Sequence, residues 1–558
     1  MATPATRPAA SPLGPGSHGA QVRQLQRQLQ QLGAEIDDPA GRFGPATEAA
    51  VRAFQHRRPW RAQDGVADEE LRQSLTRALR LREGEAALAE LAAGKRGLPL
   101  GQLHRHPALV AALQRRLHGL GLHPGGPAIN GETGPALLQA LNRFRRLAVP
   151  GPGVRQPLDP ACAAALLELR WLPAVLARWS PAAARRRFAA EARRIGADDA
   201  HLTFLDRGLE SCPWLESLAD PQLPGSIHRP VEGHGAGSGA GSGPGVSPGS
   251  APYPARGKLP AFEAGGLEWL GGEIGQVCLC LGRCGPHRLE VRWLGRDSLS
   301  PLECLSATKI VPLLNVLARS APEGARLVPW GSDDQSLSLE RALFDVVSYA
   351  GTLGSSNALA ALLNQLEPRR EAWIRAHTGG PAALRFGGRY GEPPPIARPV
   401  LRHGGNGAVL LPFGSAAEAG NALSVYDLTR LLSMLGWHRL LAPAQRLRGL
   451  SGAGARLAAR ALSCDSARYL DAAFADLGLV RRVDTPLILS KIGYGESALV
   501  YTAFLHVSDQ RDDQPLTHSL AFTLRCPKGR GDREAVRADL AMAEAVTSLL
   551  AWVLRGEP

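Results

Sequence analysis

The 558-residue sequence predicts a multidomain protein, with all-α three-helix repeats in its N-terminal part and an α/β domain in its C-terminal part. The first observation behind this is an internal repeat. Val22, Leu25, Gln26, Leu29 and Gly33 recur as Val110, Leu113, Gln114, Leu117 and Gly121, and Gly44-Pro45-Ala46, Val51 and Phe54 recur as Gly134-Pro135-Ala136, Leu141 and Phe144. The second is a Gly/Ser/Pro-rich stretch over 231–257, which reads as a flexible linker. The third is that strand-like and helical apolar runs alternate only after it. The expected boundaries are a disordered 1–17, repeats over 18–80 and 101–168, a helical segment of unassigned role over 169–230 containing Trp171, Trp179 and Trp214, the linker, and one domain over 258–558.

Each repeat has two amphipathic helices around a Gly/Pro turn, then Asp64-Gly65 or Leu158-Asp159-Pro160 and a third helix. The first copy, from Val22 through Phe43-Gly44-Pro45-Ala46-Thr47 to Phe54-Gln55, resembles the bacterial peptidoglycan-binding domain. Most of those positions are core and capping residues, so they speak for the fold before they speak for a ligand. The second copy has Leu137 and Arg145 where the first has Thr47 and Gln55. The resemblance implies peptidoglycan as partner and the cell envelope or periplasm as location.

Composition narrows the partners. A net charge of +13 favours polyanions, but the arginines scatter over helical faces without aromatic interleaving, so nucleic acid is not expected. An anionic cell-wall polymer suits the same charge. The first twenty residues lack the apolar core of a signal peptide, and no 18-residue apolar run exists, so membrane insertion is not expected. Of the eight cysteines, Cys278 and Cys280 alternate in a strand-like run with no paired CxxC, which reads as buried thiols and not as a metal site.

Only five of the 64 basic residues are lysines, and two stand where acyl-transfer chemistry needs a primary amine. Lys309 follows Ser306 by three residues, at the start of the helical run Ile310 to Leu317, so both lie on one helix face. A helix N-terminus favours an adjacent oxyanion and lowers the pKa of a nearby ammonium, which together describe an activated nucleophile. Ser355-Ser356-Asn357 precedes another helical run, and Lys491-Ile492-Gly493-Tyr494 precedes the strand-like Ala498 to Leu505. Asn357 also suits a helix N-cap, and Lys491 a solvated strand end.

In order and spacing, the three segments resemble the S-x-x-K, S-x-N and K-T-G signature of class A β-lactamases and penicillin-binding proteins. The resemblance covers about 262–558, with Val277 to Leu281 and Leu289 to Trp293 as first strands, Tyr426 to Leu432 as a central helix and Val536 to Leu554 as the C-terminal helix. It implies a β-lactamase/transpeptidase-like fold, an antiparallel sheet flanked by helices plus an all-α subdomain. It also implies Ser306 as nucleophile, Lys309 as its base, Ser355 as proton donor to the leaving nitrogen, and Asn357 as the group orienting substrate and Lys309. Lys491 would attract the substrate carboxylate. The oxyanion hole would come from the Ser306 and Tyr494 N–H groups beside Gly493. The substrates implied are β-lactams or D-Ala-D-Ala-type peptides, with neither metal nor organic cofactor.

Three departures stand against that pattern. Ile492 replaces a hydroxyl residue, Pro312 falls in the nucleophile helix, and no deacylating glutamate can be placed, since Glu418 is followed by Asn421 one residue short of the family spacing and Glu392 lies in a Pro-rich loop. They motivate the alternative of a catalytically silent wall-binding protein that keeps the fold.

Overall fold

The computed structural model describes residues 11–555 apart from 57–63, 95–96, 120–121, 124–128, 149–157, 169–179, 196–201, 226–249, 264, 285–288, 332–334, 481–482, 484 and 512–513. Trp171, Trp179 and most of the expected linker thus lie outside the described residues. The chain divides into two compact units, 1–175 and 176–558.

The first unit repeats one design twice. Helices α1 (Ala20–Gln31), α2 (Pro45–His56) and α3 (Glu69–Ala93) enclose Val22, Leu25, Leu29, Val51, Phe54, Leu71 and Leu75. Helices α4 (Pro107–Gly119), α5 (Pro135–Ala148) and α6 (Pro160–Glu168) enclose Val110, Leu113, Leu117, Leu141, Phe144 and Leu166, with Leu88 of α3 joining this second core. An isolated antiparallel bridge closes each copy, Leu13 to Ala67 and Leu98 to Leu158. The expectation of a disordered 1–17 is therefore corrected for 11–17. Leu13 exchanges two backbone hydrogen bonds with Ala67, and Ser17 accepts one from Phe43.

The second unit is built on a six-stranded antiparallel sheet of order β1-β3-β2-β13-β12-β11. Its strands are β1 (Ala251–Pro252), β2 (Gln276–Cys284), β3 (Leu289–Arg296), β11 (Leu487–Tyr494), β12 (Ala498–Arg511) and β13 (Gln514–Pro527). Ala251–Pro252 pairs with β3, and the Tyr253 hydroxyl lies 2.6 Å from Ser433 Oγ, so the end of the expected linker belongs to the sheet. Register sets Lys491 opposite Thr502, Thr502 opposite Thr523 and Thr523 opposite Cys278. On that face lies the central helix Val425–Gly436, whose Thr429 hydroxyl donates to Thr523 Oγ1 at 2.9 Å. Glycine is required at Gly436, where a Cβ would sit 2.3 Å from the Phe504 ring. The other face carries Tyr501 and Phe522 and is covered by helices Tyr469–Asp476 and Asp532–Arg555.

Helices Ile310–Arg319, Leu339–Ser348, Ser356–Asn364, Arg370–Thr378 and Gly452–Leu462 form a lobe beside the β11 edge, together with two small antiparallel sheets. The described parts of 176–230 pack on this unit. Helix Pro181–Ile195 pairs Arg187 with Asp476 at 2.6 Å, and buried Asp539 accepts the Phe204 and Leu205 N–H groups.

Candidate functional site

The site forms where the β11 edge meets the 3₁₀ turn Leu305–Lys309. Leu305 holds φ at 53°, a left-handed conformation unusual for a branched residue, immediately before Ser306. A Cβ on Gly493 would come within 2.4 Å of Cys304 O and 2.8 Å of Ala307 N. Only glycine lets the strand run this close, which sets the Tyr494 end of β11 alongside Ser306. Pro312 is the third residue of helix Ile310–Arg319, inside the opening turn, where its missing N–H leaves no intrahelical bond unmade. The helix accommodates it without interruption.

Lys309 is fully buried. Its Nζ donates to Asn357 Oδ1 at 2.7 Å and to Ser356 Oγ at 2.9 Å, while the Ser356 hydroxyl spends its own proton on Val346 O at 2.6 Å. Burial, reinforced by repulsion from Lys491 and opposed by Glu392, brings the Lys309 pKa down to about 6. With its pKa near 6 the amine is largely neutral at pH 7, and it donates to Asn357 and Ser356. The remaining lone pair belongs to no partner in that pair. Ser306, one 3₁₀ turn earlier, lies on the same side of the turn because residues three apart eclipse. The sequence reading pairs Lys309 with Ser306, whereas the hydrogen bonds of its amine run to Ser356 and Asn357.

Ser355 is the N-cap of helix Ser356–Asn364, its Oγ accepting from the Asn357 N–H at 3.1 Å. That corrects the reading of Asn357 as the cap. Asn357 lies two residues further on, and its side-chain amide bridges Lys309 and Glu392, Nδ2 donating to Glu392 Oε1 at 2.9 Å. Hydrogen bonds from Ser355 and Asn357 hold the Glu392 carboxyl below its usual range. Glu418, by contrast, is exposed and takes part through its backbone bridge to Gly388.

Lys491 is also fully buried, which corrects the solvated-strand-end reading. Its Nζ donates to Tyr349 Oη at 2.6 Å and Ile492 O at 3.1 Å, and lies 3.9 Å from Asp465 Oδ1. Burial raises the Asp465 pKa, with Lys491 and Ser490 pulling it back. Ile492 is buried and paired with Tyr501, on the sheet face opposite Lys491. The Tyr349 and Tyr390 rings stand 5.3 and 5.2 Å from Lys309 Nζ. Tyr494 is exposed, with Lys528 Nζ 5.0 Å above its ring. Cys304 is packed under the turn with its thiol on Leu423 O, and burial pushes its pKa up to about 12.

The structure therefore gathers Ser306, Lys309, Ser355, Asn357, Lys491 and Gly493 at one edge. It adds Ser356, Tyr349, Tyr390 and Glu392, which sequence reasoning did not assign. Ser356 was legible as the middle of the Ser-Ser-Asn segment. Tyr349 and Tyr390 carry no spacing signal, because loops bring them in.

Among the described residues no group of three or more His, Cys, Asp or Glu side chains could hold a metal ion, and no helix is long and apolar enough to cross a membrane.

Residues 18–75 match the family model described as "Putative peptidoglycan binding domain". No curated protein matches the chain. Among solved structures it is similar to the β-lactamase from Sphaerobacter thermophilus DSM 20745, at 13% identity and TM-score 0.31, over 50% of this chain and 91% of that one. It is also similar to the β-lactamase from Desulfarculus baarsii DSM 2075, at 16% identity and TM-score 0.30, over 50% and 92%. A third is a variant of the class A β-lactamase of the last common ancestor of Gram-negative bacteria, at 14% identity and TM-score 0.31, over 50% and 95%.

Proposed function

We propose that the C-terminal unit is a serine hydrolase or acyltransferase that works through an acyl-Ser306 intermediate on β-lactam or D-Ala-D-Ala-type substrates, held at peptidoglycan by the N-terminal repeats. The observation that carries this reading is the buried Lys309, its pKa lowered to about 6 and its amine donating to Asn357 and Ser356, one 3₁₀ turn after Ser306. In this reading the amine takes the Ser306 hydroxyl proton as Oγ attacks the carbonyl carbon, and the carbonyl electron pair moves to oxygen. The N–H groups of Ser306 and Tyr494 stabilise that oxyanion. The tetrahedral adduct then collapses: the C–N bond breaks, and the leaving nitrogen takes the proton that Lys309 accepted, passed on by Ser355, which returns the lysine to its neutral form and leaves the acyl-serine. In this reading Glu392, which accepts from Asn357 Nδ2, takes a proton from the water that hydrolyses the ester. The cell envelope is the corresponding location.

Intact-mass measurement after incubation with a fluorescent penicillin should show one covalent adduct, absent in Ser306→Ala. No Ser306-dependent adduct with several β-lactams and active esters would overturn the reading. Deleting 11–168 should abolish sedimentation with purified peptidoglycan while leaving acylation intact.

The competing reading, a silent wall-binding protein, is favoured by one feature: Lys491 is enclosed by Tyr349 and Ile492 O instead of facing an open site. In that case Ser306→Ala leaves every cellular phenotype and peptidoglycan sedimentation unchanged. A lost phenotype with sedimentation intact rejects it.

A further inference from the structure

Position 492 offers no hydroxyl to a substrate anion, and Lys491 has no exposure of its own. Its ammonium directs one N–H to Ile492 O at 3.1 Å and one to Tyr349 Oη at 2.6 Å, and lies on its remaining side 3.9 Å from the buried Asp465 carboxylate. Among these partners only Tyr349, 41% exposed, reaches solvent. An anion approaching Lys491 therefore meets the phenol first.

The fold fixes that phenol in place. Tyr349 caps helix Leu339–Ser348 in the left-handed region, φ 57°, where a non-glycine residue is strained. Its N–H donates to Asp345 O, and the buried Asp345 carboxylate ties down the following loop by accepting from Thr352 Oγ1 at 2.8 Å and Leu353 N at 2.6 Å. The hydroxyl accepts a charged donor from Lys491. Its own proton has only Ile492 O at 3.5 Å, too long to hold it well. A hydroxyl that accepts from an ammonium is polarised toward donating outward.

We propose that Tyr349 Oη and Lys491 Nζ together form the subsite for a substrate carboxylate, the phenol supplying the neutral donor that Ile492 lacks and relaying the lysine's charge. Tyr349 is thus a specificity-determining residue for anionic acyl donors. This rests on the acyl-serine reading above.

The test compares Tyr349→Phe with the parent protein using benzylpenicillin and its methyl ester, which lacks the anion. Tyr349→Phe keeps the ring and its packing. It should lower kcat/KM for acylation by benzylpenicillin about 10- to 100-fold, mainly through KM, because one hydrogen bond to a charged group is lost. The loss with the ester should be at least tenfold smaller. Equal losses with both donors, or none with either, overturn the subsite. A readout without acylation separates this from failure of the acyl-serine reading: calorimetric binding of benzylpenicilloate to Ser306→Ala protein, which Tyr349→Phe should weaken about tenfold. Unchanged penicilloate binding overturns the subsite even if Ser306 acylates. Weakened binding without any Ser306 adduct upholds the subsite and removes the enzyme.

Discussion

The first repeat and the C-terminal site both bury polar motif residues, but they use them in opposite ways. In the repeat, Gln26 Nε2 donates to Arg42 O at 2.9 Å and Thr47 Oγ1 at 3.1 Å, and its Oε1 accepts the Gly41 N–H at 2.7 Å. Gln55 does the same for the loop 64–66, holding Asp64 Oδ1, Val66 O and the Gly65 N–H at 2.9 to 3.0 Å. These signature residues are consumed by the fold. At the β11 edge, by contrast, Lys309 is desolvated to the point of neutrality and Lys491 is left one phenol away from solvent. A buried polar residue with every donor and acceptor met inside the fold reports architecture; one whose valence is left open reports chemistry.

The largest effect that could break this contrast is Lys309→Arg. Guanidinium cannot be deprotonated, so the variant fixes a charge where the parent holds a largely neutral amine, and single-turnover acylation of Ser306 should fall by about 10²- to 10⁴-fold. A loss of less than tenfold would show that Lys309 is structural, like Gln26.

Next in size is a pH effect with a definite sign. Acylation should rise as pH rises through about 6, where Lys309 becomes neutral. The same shift bears on stability. The folded pKa lies below the ordinary 10.5, so between about 6 and 10.5 the unfolded chain binds more protons and stability increases with pH, by up to about 1.4 kcal/mol per unit from this group. Asp539 works the other way. Burial raises its pKa from 3.8 to about 6, so its contribution falls as pH rises across that window. Denaturation of Lys309→Met against the parent protein at pH 7 and pH 9 isolates the lysine. The difference should shift toward the variant at the lower pH, and a constant difference would mean that Lys309 is charged in the fold.

How much of this was legible depended on whether a signal was local. Val22, Leu25 and Leu29 at helical spacing, the paired offsets of the repeats, and the alternation of Cys278 and Cys280 are properties of neighbouring residues, and the elements followed them. Ser306, Lys309, Asn357 and Lys491 were legible as an ordered set. Glu392 was not, because its place depends on a Pro-rich loop folding back across 35 residues to Asn357. Tyr349 was invisible for a related reason: its reach to Lys491 depends on a left-handed backbone that no motif encodes. The ordering of 11–17 also escaped notice, since a single bridge partner, Ala67, lies on the far side of two helices.

A smaller effect sharpens the comparison within the first unit. Gln114 repeats the Gln26 arrangement in the second copy, its Oε1 accepting from the Gly131 N–H at 2.9 Å and its Nε2 donating to Glu132 O at 3.0 Å. Gln26→Leu and Gln114→Leu should each cost about 1–3 kcal/mol in chemical denaturation, since each strands buried backbone groups. Acylation of Ser306 should be unaffected by either.

The smallest effect separates the two copies from each other. Where the neutral Gln55 amide closes its loop with two hydrogen bonds to backbone and one to the Asp64 carboxylate, the second copy has Arg145, whose Nη2 lies 3.4 Å from Asp159 Oδ2. Asp159 already spends its other oxygen on the Cys162 N–H at 2.7 Å, capping the start of helix Pro160–Glu168. The ion pair is partly exposed and long, and such pairs contribute about 0–1 kcal/mol and weaken with salt. Arg145→Ala should therefore cost under about 1 kcal/mol, less in 1 M salt, whereas Gln55→Ala should cost about 1–3 kcal/mol with no salt dependence because it leaves the Gly65 N–H and Val66 O unpaired. If Arg145→Ala instead matched Gln55→Ala and ignored salt, Arg145 would be holding its loop through neutral contacts to the backbone. The second copy would then be closed by the same physics as the first despite its different residue.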